Sequence, residues 1–345
     1  MAWMVYGANG YTGKLVAELA VKRGELPVLA GRTAAKVAPL ADELGLEYRI
    51  FDLGDPTAVR DGLDGMTTVA HCAGPFSATA APMVDGCLAA GTHYVDITGE
   101  VDVFEAIFAR NADAERAGVV LLPGAGFDVV PSDCLAAMLA GELPDATELD
   151  LAFVAGGGIS PGTLRTTVEG MGTGGRARVD GKLVTVPVAH RSTVAELPSG
   201  PKTVVSIPWG DLATAYRSTG IPNITTFTRV PAPPKAIAAG QRLFGPIMRS
   251  SAGQRVAKNL VGRIPGPSEK RRAGSRTELW GRVRDANGRS VSRTLVVPNT
   301  YTFTADAVVR VVERLGKGGT PAGAHTPSSA FGADFVRGLD GVTVG

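Results

Sequence analysis

Cysteine is scarce in this chain of 345 residues, with only Cys72, Cys87 and Cys134. No two of them form a CxxC pair, so neither a disulfide framework nor a redox dithiol is expected, and a reducing compartment fits. The four histidines, His71, His93, His190 and His325, are scattered without ligand spacing, and no metal site is expected. Excess charge of one sign is also missing. The formal net charge is +2, which gives no footprint for a nucleic-acid partner. No uncharged apolar run approaches the ~18 residues of a membrane span. The N-terminus, MAWMVYGANG, lacks the basic segment of a signal peptide, so a cytoplasmic location is expected. Several catalytic kits are absent too: there is no GxSxG, HExxH or GxxxxGK[ST], and no tyrosine is followed by lysine four residues on.

What is present is a chain rich enough in apolar residues (44%) to bury a large core, long enough for about two domains. The first 130 residues alternate with a regular beat. Short apolar runs at Ala2–Tyr6, Pro27–Ala30, Tyr48–Phe51, Thr68–Cys72, His93–Ile97 and Val119–Leu122 read as strands. Helical spacing lies between them at Thr12–Arg23, Ala34–Leu44, Pro56–Leu63, Ala80–Ala90 and Val103–Ala117. Gly24, Gly45, Gly91 and Gly118 stand where four of those helices should stop. Strand–helix alternation predicts βαβ units and a parallel sheet covered on both faces.

After Pro131 the texture changes. Strands are expected at Thr147–Val154, Thr203–Ile207, Thr225–Val230, Thr277–Val283 and Ser290–Pro298, with an Asn287-Gly288 hairpin turn joining the last two. Helices are expected at Pro234–Leu243, Ala252–Val261 and Thr304–Leu315. The fold class is therefore α/β: a Rossmann-type parallel sheet domain over 1–130, with a return segment about 302–345, plus an α+β domain with a largely antiparallel sheet over 131–301.

The first turn carries the chemistry. Gly7-Ala8-Asn9-Gly10-Tyr11-Thr12-Gly13 follows the first strand and opens the first helix with GxxGxxG spacing. Gly7 permits the tight turn, Gly10 lets backbone approach a pyrophosphate, and Gly13 lets helix and strand pack closely. A helix N-terminus there offers free N–H groups to the anion. An acid that would bind a ribose 2′-OH is missing at the end of the second strand. Ala30-Gly31-Arg32-Thr33 stands there instead, and Arg32, with Lys36 one turn on, suits a 2′-phosphate. NADP (NADPH) is the expected cofactor. Asp52 and Leu53 would lie near the adenine, though Asp52 serves equally well as a cap for the helix near Pro56. Ala73, Gly74 and Pro75, past the fourth strand, fall where a nicotinamide ribose would sit. Cys72 reads as core; His71 reads first as core and second as a proton donor.

These segments together, GANGYTG, LAGR, AHCAGPF, HYVDITGE and LPGAGFDVVPSD, resemble the saccharopine dehydrogenase-like family of NAD(P)-dependent oxidoreductases, which includes saccharopine reductases and trans-acting enoyl reductases. The likeness is good over roughly residues 3–135 and looser beyond. It implies NADP at Gly7, Gly10, Gly13 and Arg32, and a substrate domain inserted before a return to the first domain.

Catalytic candidates cluster past the fifth and sixth strands: Tyr94, Asp96, Thr98 and Glu100 in HYVDITGE, and Asp128, Ser132 and Asp133 in GAGFDVVPSD. Asp128 and Glu100 are the chosen pair, each able to work as an acid if burial tunes its pKa. Ser132 or Asp133 reads more simply as the cap of a helix over Cys134–Leu139. Between Arg255 and Arg293 eleven basic residues face three acidic ones, which reads as a solvated face or as a dock for an acidic partner. The expected function is NADP(H)-dependent reduction of an activated C=N or C=C bond in a small or carrier-bound acyl substrate. The alternatives are trans-acting enoyl reduction on carrier-bound chains and a non-catalytic NADP(H)-sensing module. A homodimer is left open.

Overall fold

The computed structural model describes residues 2–156, 174–230 and 268–345. The helices expected at Pro234–Leu243 and Ala252–Val261, and the basic residues Arg255, Lys258 and Arg263, lie outside the described residues, as does the side chain of Arg271. The chain divides into two compact units. The first is Met1–Val130 with Tyr301–Phe335, and the second is Pro131–Thr300 with Val336–Gly345.

The first unit is a doubly wound parallel sheet. Its strands are β1 (Trp3–Tyr6), β2 (Val28–Gly31), β3 (Tyr48–Ile50), β4 (Thr68–His71), β5 (His93–Asp96), β6 (Val120–Leu122) and, much later in the chain, β15 (Gly323–Ala324). They lie in the order β15-β6-β5-β4-β1-β2-β3, every pairing parallel. β1, β2 and β4 are buried at every residue, as solidly apolar strands must be when helices cover both faces. The helices are α1 (Tyr11–Lys22), α2 (Ala34–Leu44), α3 (Pro56–Leu63), α4 (Phe76–Ala90), α5 (Val101–Phe108) and α6 (Asn111–Ala117). The single helix expected over Val103–Ala117 is two, broken at Ala109-Arg110. Asn111 opens the second piece, and its Oδ1 accepts from Ala324 N of β15 (2.9 Å).

The second unit holds a largely antiparallel sheet in the order β10-β11-β12-β7-β13-β14-β16, with β8 and β9 branching from β12. These strands are β7 (Ala146–Ala155), β8 (Gly175–Val179), β9 (Lys182–Val186), β10 (Ser192–Leu197), β11 (Gly200–Ile207), β12 (Asn223–Thr228), β13 (Arg276–Asp285), β14 (Ser290–Pro298) and β16 (Thr343–Val344). Among the described residues of this unit, only β7 and β12 pair in parallel. Helix α7 (Val130–Glu142) packs on this sheet at Gly281, where a Cβ would meet Leu139 Cδ1 at 2.6 Å and Leu135 Cδ2 at 3.2 Å.

Two expectations need correction. The strands β8, β9 and β10 were not expected. The tail expected to return whole to the first unit leaves it at Phe335, and β16 hydrogen-bonds to β14 of the second unit. A two-residue strand is too short to show a period in sequence.

Candidate functional site

The turn after β1 needs glycine at two positions for separate reasons. Gly7 has φ +82°, and a Cβ there would stand 2.8 Å from the Ala73 amide nitrogen. At Gly13 a Cβ would stand 2.4 Å from the Gly7 carbonyl oxygen, so α1 sits against the turn with no room for a methyl. The Gly7 and Ala8 amides both donate to the Ala30 carbonyl at the end of β2 (2.8 and 3.2 Å). Gly10 is the N-cap of α1; no side-chain hydrogen bond caps the helix and no acid lies in its first turn. Asn9 Oδ1 lies beside Gly31, 3.3 Å from where a Cβ would be, and the Tyr11 ring meets the Tyr301 ring edge-on at 5.0 Å. Thr12 is partly buried.

The contact of Gly7 with Ala73 brings the loop after β4 against the turn. Ala73, Gly74 and Pro75 therefore share one edge of the sheet with Gly7–Gly13, and the Gly74–Pro75 peptide is cis. At the same edge the Tyr6 hydroxyl donates to the Phe51 carbonyl at 3.0 Å. Burial first, and then the Asp52 charge, push this phenol up to about 12, with Arg32 acting against them. Arg32, Thr33 and Lys36 are exposed, while Leu53 is buried. Of the two readings of Asp52, capping is taken by another residue: Asp55 accepts from Thr57 N and Ala58 N at the start of α3, and Asp52 Oδ1 accepts from Gly54 N (2.8 Å).

His71 is a core group, whereas Cys72, expected in the core, is only partly buried. His71 is fully buried among the rings of Tyr6, Phe76 and Tyr94. Its Nε2 lies 3.0 Å from Thr79 Oγ1, which also lies within hydrogen-bond distance of the Ala73 and Pro75 carbonyls. Burial pushes the imidazole down to about 3, which keeps it neutral and unsuited to giving up a proton at neutral pH. The Cys72 thiol is pushed up to about 12, by burial and then by Asp96, and is no nucleophile.

The acids past β5 and β6 divide into three roles. Asp96 is fully buried and accepts from Tyr94 Oη (2.6 Å), Thr98 N (3.0 Å) and Gly124 N (2.8 Å), while its carbonyl accepts from Ala125 N (2.7 Å). It fastens the two loops together, a role not apparent from the motif. Burial raises it to about 6 against the pull of those donors. Glu100 caps α4 across 24 residues: its two oxygens accept from Phe76 N and Ser77 N, each at 3.0 Å. Asp128 is partly buried beside Gly99, where a Cβ would stand 2.8 Å from its Oδ2, and burial pushes its carboxyl up to about 7. A carboxyl poised there exchanges protons readily near neutral pH.

The Glu100 arrangement predicts a stability effect. Glu100→Ala should lower the unfolding free energy by about 1 kcal/mol, the usual cost of a lost cap. Glu100→Gln, which keeps one acceptor, should recover part of it. Urea denaturation measures both, and an unchanged Glu100→Ala midpoint would show that α4 needs no cap.

Ser132 and Asp133 do not cap a helix at Cys134. Helix α7 begins four residues earlier, which places both in its first turn, and Ser218 Oγ donates to Asp133. Ser132 lines a cleft of the second unit with Trp209, Asp211 and Thr226; at about 10 Å3 it has room for one water and not for a substrate. Four arginines of the basic stretch are paired in space. Arg282 meets Asp150 (2.9 Å), Arg284 meets Glu148 (3.4 Å), Arg289 meets Asp285 (2.5 Å) and Arg293 meets Glu142 (2.8 Å). Acids from β7 and α7 thus offset three arginines of a run that looks strongly basic in the chain. Among the described residues no helix is long and apolar enough to cross a membrane, and no group of His, Cys, Asp and Glu is arranged to hold a metal.

Comparison with known proteins bears on this edge of the sheet. Residues 3–122 match the family model described as saccharopine dehydrogenase NADP binding domain. A trans-acting enoyl reductase of Mycobacterium tuberculosis is 30% identical over 205 residues, 53% of this chain and 48% of that protein. A saccharopine dehydrogenase-like oxidoreductase of Rattus norvegicus is 29% identical over 152 residues, 38% of this chain and 35% of that protein. The chain thus spans half or less of the length of these curated relatives. Among solved structures, saccharopine dehydrogenase (L-Glu forming) from Saccharomyces cerevisiae superposes with a TM-score of 0.66 over 100% of this chain and 99% of that one, at 13% identity. At that identity the likeness speaks for the fold.

Proposed function

We propose, from the premise that residues 3–122 form a domain of the saccharopine dehydrogenase NADP-binding family, that the chain is an NADP(H)-dependent oxidoreductase that reduces an activated C=N or C=C bond. The observation that carries this reading is the meeting of three features on one sheet edge. They are the uncapped N-terminus of α1 behind a glycine turn, the Ala73-Gly74-Pro75 loop packed against that turn, and Asp128 with its carboxyl near 7. Bound NADPH would supply a hydride. The chain's own residues supply the rest. The amides opening α1 and the Arg32 guanidinium hold the phosphates, and Asp128 gives the proton that completes the reduction, at nitrogen for an imine or at carbon for an enoyl group. Asp96 keeps the two loops around Asp128 in register through its bonds to Thr98, Gly124 and Ala125.

The enoyl thioester is the better first substrate, because a relative 30% identical over 53% of this chain is a trans-acting enoyl reductase. The decisive experiment follows NADPH absorbance with an enoyl thioester in one arm and a preformed imine of an amino acid in the other. Consumption in either arm supports a reductase and names the bond. Tight NADPH binding with no consumption across both substrate classes would favour the sensing module instead.

Cofactor choice gives a second test. Arg32→Ala should weaken NADPH about tenfold to a hundredfold, the worth of a hydrogen bond to a charged group. NADH, lacking the 2′-phosphate, should hardly change. Fluorescence titration with both nucleotides decides it; equal losses would make Arg32 a structural residue.

A further inference from the structure

Around Asp150, on one face of the second unit's sheet, two guanidiniums meet a single carboxylate. Asp150 on β7 is the partner of Thr225 on β12 and of Arg282 on β13, so the three side chains share a face. The Asp150 carboxylate is 4% exposed and holds two guanidiniums. Arg191, just before β10, reaches it through Nη1 (3.2 Å) and Nη2 (3.4 Å) and also donates to Thr225 Oγ1 (2.7 Å). Arg282 donates to it through Nη2 (2.9 Å). Two cations therefore share one anion. The next pair along the face, Glu148 with Arg284, is balanced, so the excess is local.

Two further donors lie beside this cluster without an acceptor. Arg282 Nε and Trp280 Nε1 are both buried and unpartnered, and Trp280 as a whole is 2% exposed. The Arg282 guanidinium lies 5.1 Å from the centre of the Trp280 ring, and Arg191 lies 5.5 Å from that of Phe227. A structural ion pair would be complete with one arginine. A second guanidinium adds desolvation with no second carboxylate, and each orphaned buried donor is destabilising. Buried polar groups without partners call for an acceptor of some kind. The acceptor must be rich in oxygen and negative, and guanidinium forks match carboxylate and phosphate oxygens best.

We propose that this face is an oxyanion-binding site, taking a carboxylate or phosphate group at the Arg191–Arg282 pair, with Asp150 fixing both guanidiniums in place. The site does not depend on the redox reading of the first unit. Arg191 is its exposed arm, with 43% of its side chain accessible, and Trp280 and Phe227 form its apolar floor.

The test is calorimetric titration of the full chain with inorganic phosphate and, separately, with glutarate, at constant ionic strength set by chloride. Arg191→Gln leaves the Asp150–Arg282 pair intact and should weaken the bound anion at least tenfold. Trp280→Phe keeps an aromatic ring, though a smaller one, removes one donor and should weaken it severalfold; circular dichroism of both variants guards against a folding defect. Arg32→Ala, in the other unit, should leave it unchanged. Phosphate alone binding would name a phosphoryl ligand; glutarate alone would name a carboxylic acid; both would leave the shared chemistry standing. The proposal is overturned if neither anion binds above the chloride control, or if binding is lost in Arg32→Ala and kept in Arg191→Gln.

Discussion

Gly13→Ala should destabilise the chain before any cofactor is added, whereas Gly10→Ala should leave it folded and remove NADPH binding. The two substitutions add the same methyl three residues apart, and the structure gives them different neighbours. At Gly13 the methyl would stand 2.4 Å from a backbone oxygen, Gly7 O, and 3.0 Å from Ala8 Cα. Neither atom belongs to a side chain that can rotate away, so α1 must move off β1. Replacing glycine in a helix gains up to about 1 kcal/mol in propensity, and overpacking against fixed neighbours costs about 1–3 kcal/mol or more. The clash wins, and a net loss of about 2 kcal/mol is expected by urea denaturation. At Gly10 the methyl would stand 3.1 Å from Gly7 O, a contact a small shift relieves, and φ −75° with ψ 162° suits any residue. The fold should therefore tolerate Gly10→Ala. The dinucleotide should not, because backbone at the second glycine is what a pyrophosphate must approach. A loss of a hundredfold or more in NADPH affinity is expected. Wild-type affinity in Gly10→Ala would mean that the cofactor does not lie on this turn.

Much of the first unit was legible because its punctuation is covalent. Gly24, Gly45, Gly91 and Gly118, read as helix stops, all adopt positive φ, between 66° and 81°. That conformation is cheap only for glycine, so the residue itself marks the place. The second unit hides more. Its β8–β9 hairpin turns at Asp180-Gly181, with φ of 48° and 74°, a dipeptide of the same kind as Asn287-Gly288. The flanking strand β9 has no buried residue, so no apolar run drew attention to it. Pairing between distant residues was the least accessible feature. Glu100 caps a helix 24 residues before it, and the basic residues of β13 and β14 find acids more than 130 residues earlier. A local charge count cannot register partners that only the sheet brings together.

Asp128→Asn should make the folded chain more stable above pH 7 while removing its power to reduce a substrate. The Asp128 carboxyl is pushed up to about 7 by burial, from an ordinary value of about 4. The folded protein thus holds this proton more tightly than the unfolded chain does. Stability from the group is fully present below about pH 4 and is lost as pH rises through about 7. A gap of that size sets a ceiling of about 4 kcal/mol. Asp128 is only partly buried, so about 1–2 kcal/mol is the realistic expectation. Asparagine keeps the shape and cannot ionise, so at pH 8 the variant should be the more stable by that amount, and near pH 4 the two should converge. Asp96, raised to about 6, adds a loss of the same sign to both proteins. The difference between the two denaturation curves, taken across pH, therefore isolates Asp128. The same substitution removes the proton donor beside Gly99, and general-acid catalysis is worth about a hundredfold to ten-thousandfold. Turnover of the substrate found in the NADPH assay should fall by that factor with NADPH affinity unchanged. Stability stored against function in this way is common at active sites. A variant less stable than wild type at pH 8 would mean that the ionised carboxylate is a structural partner, and the proton would have to come from elsewhere.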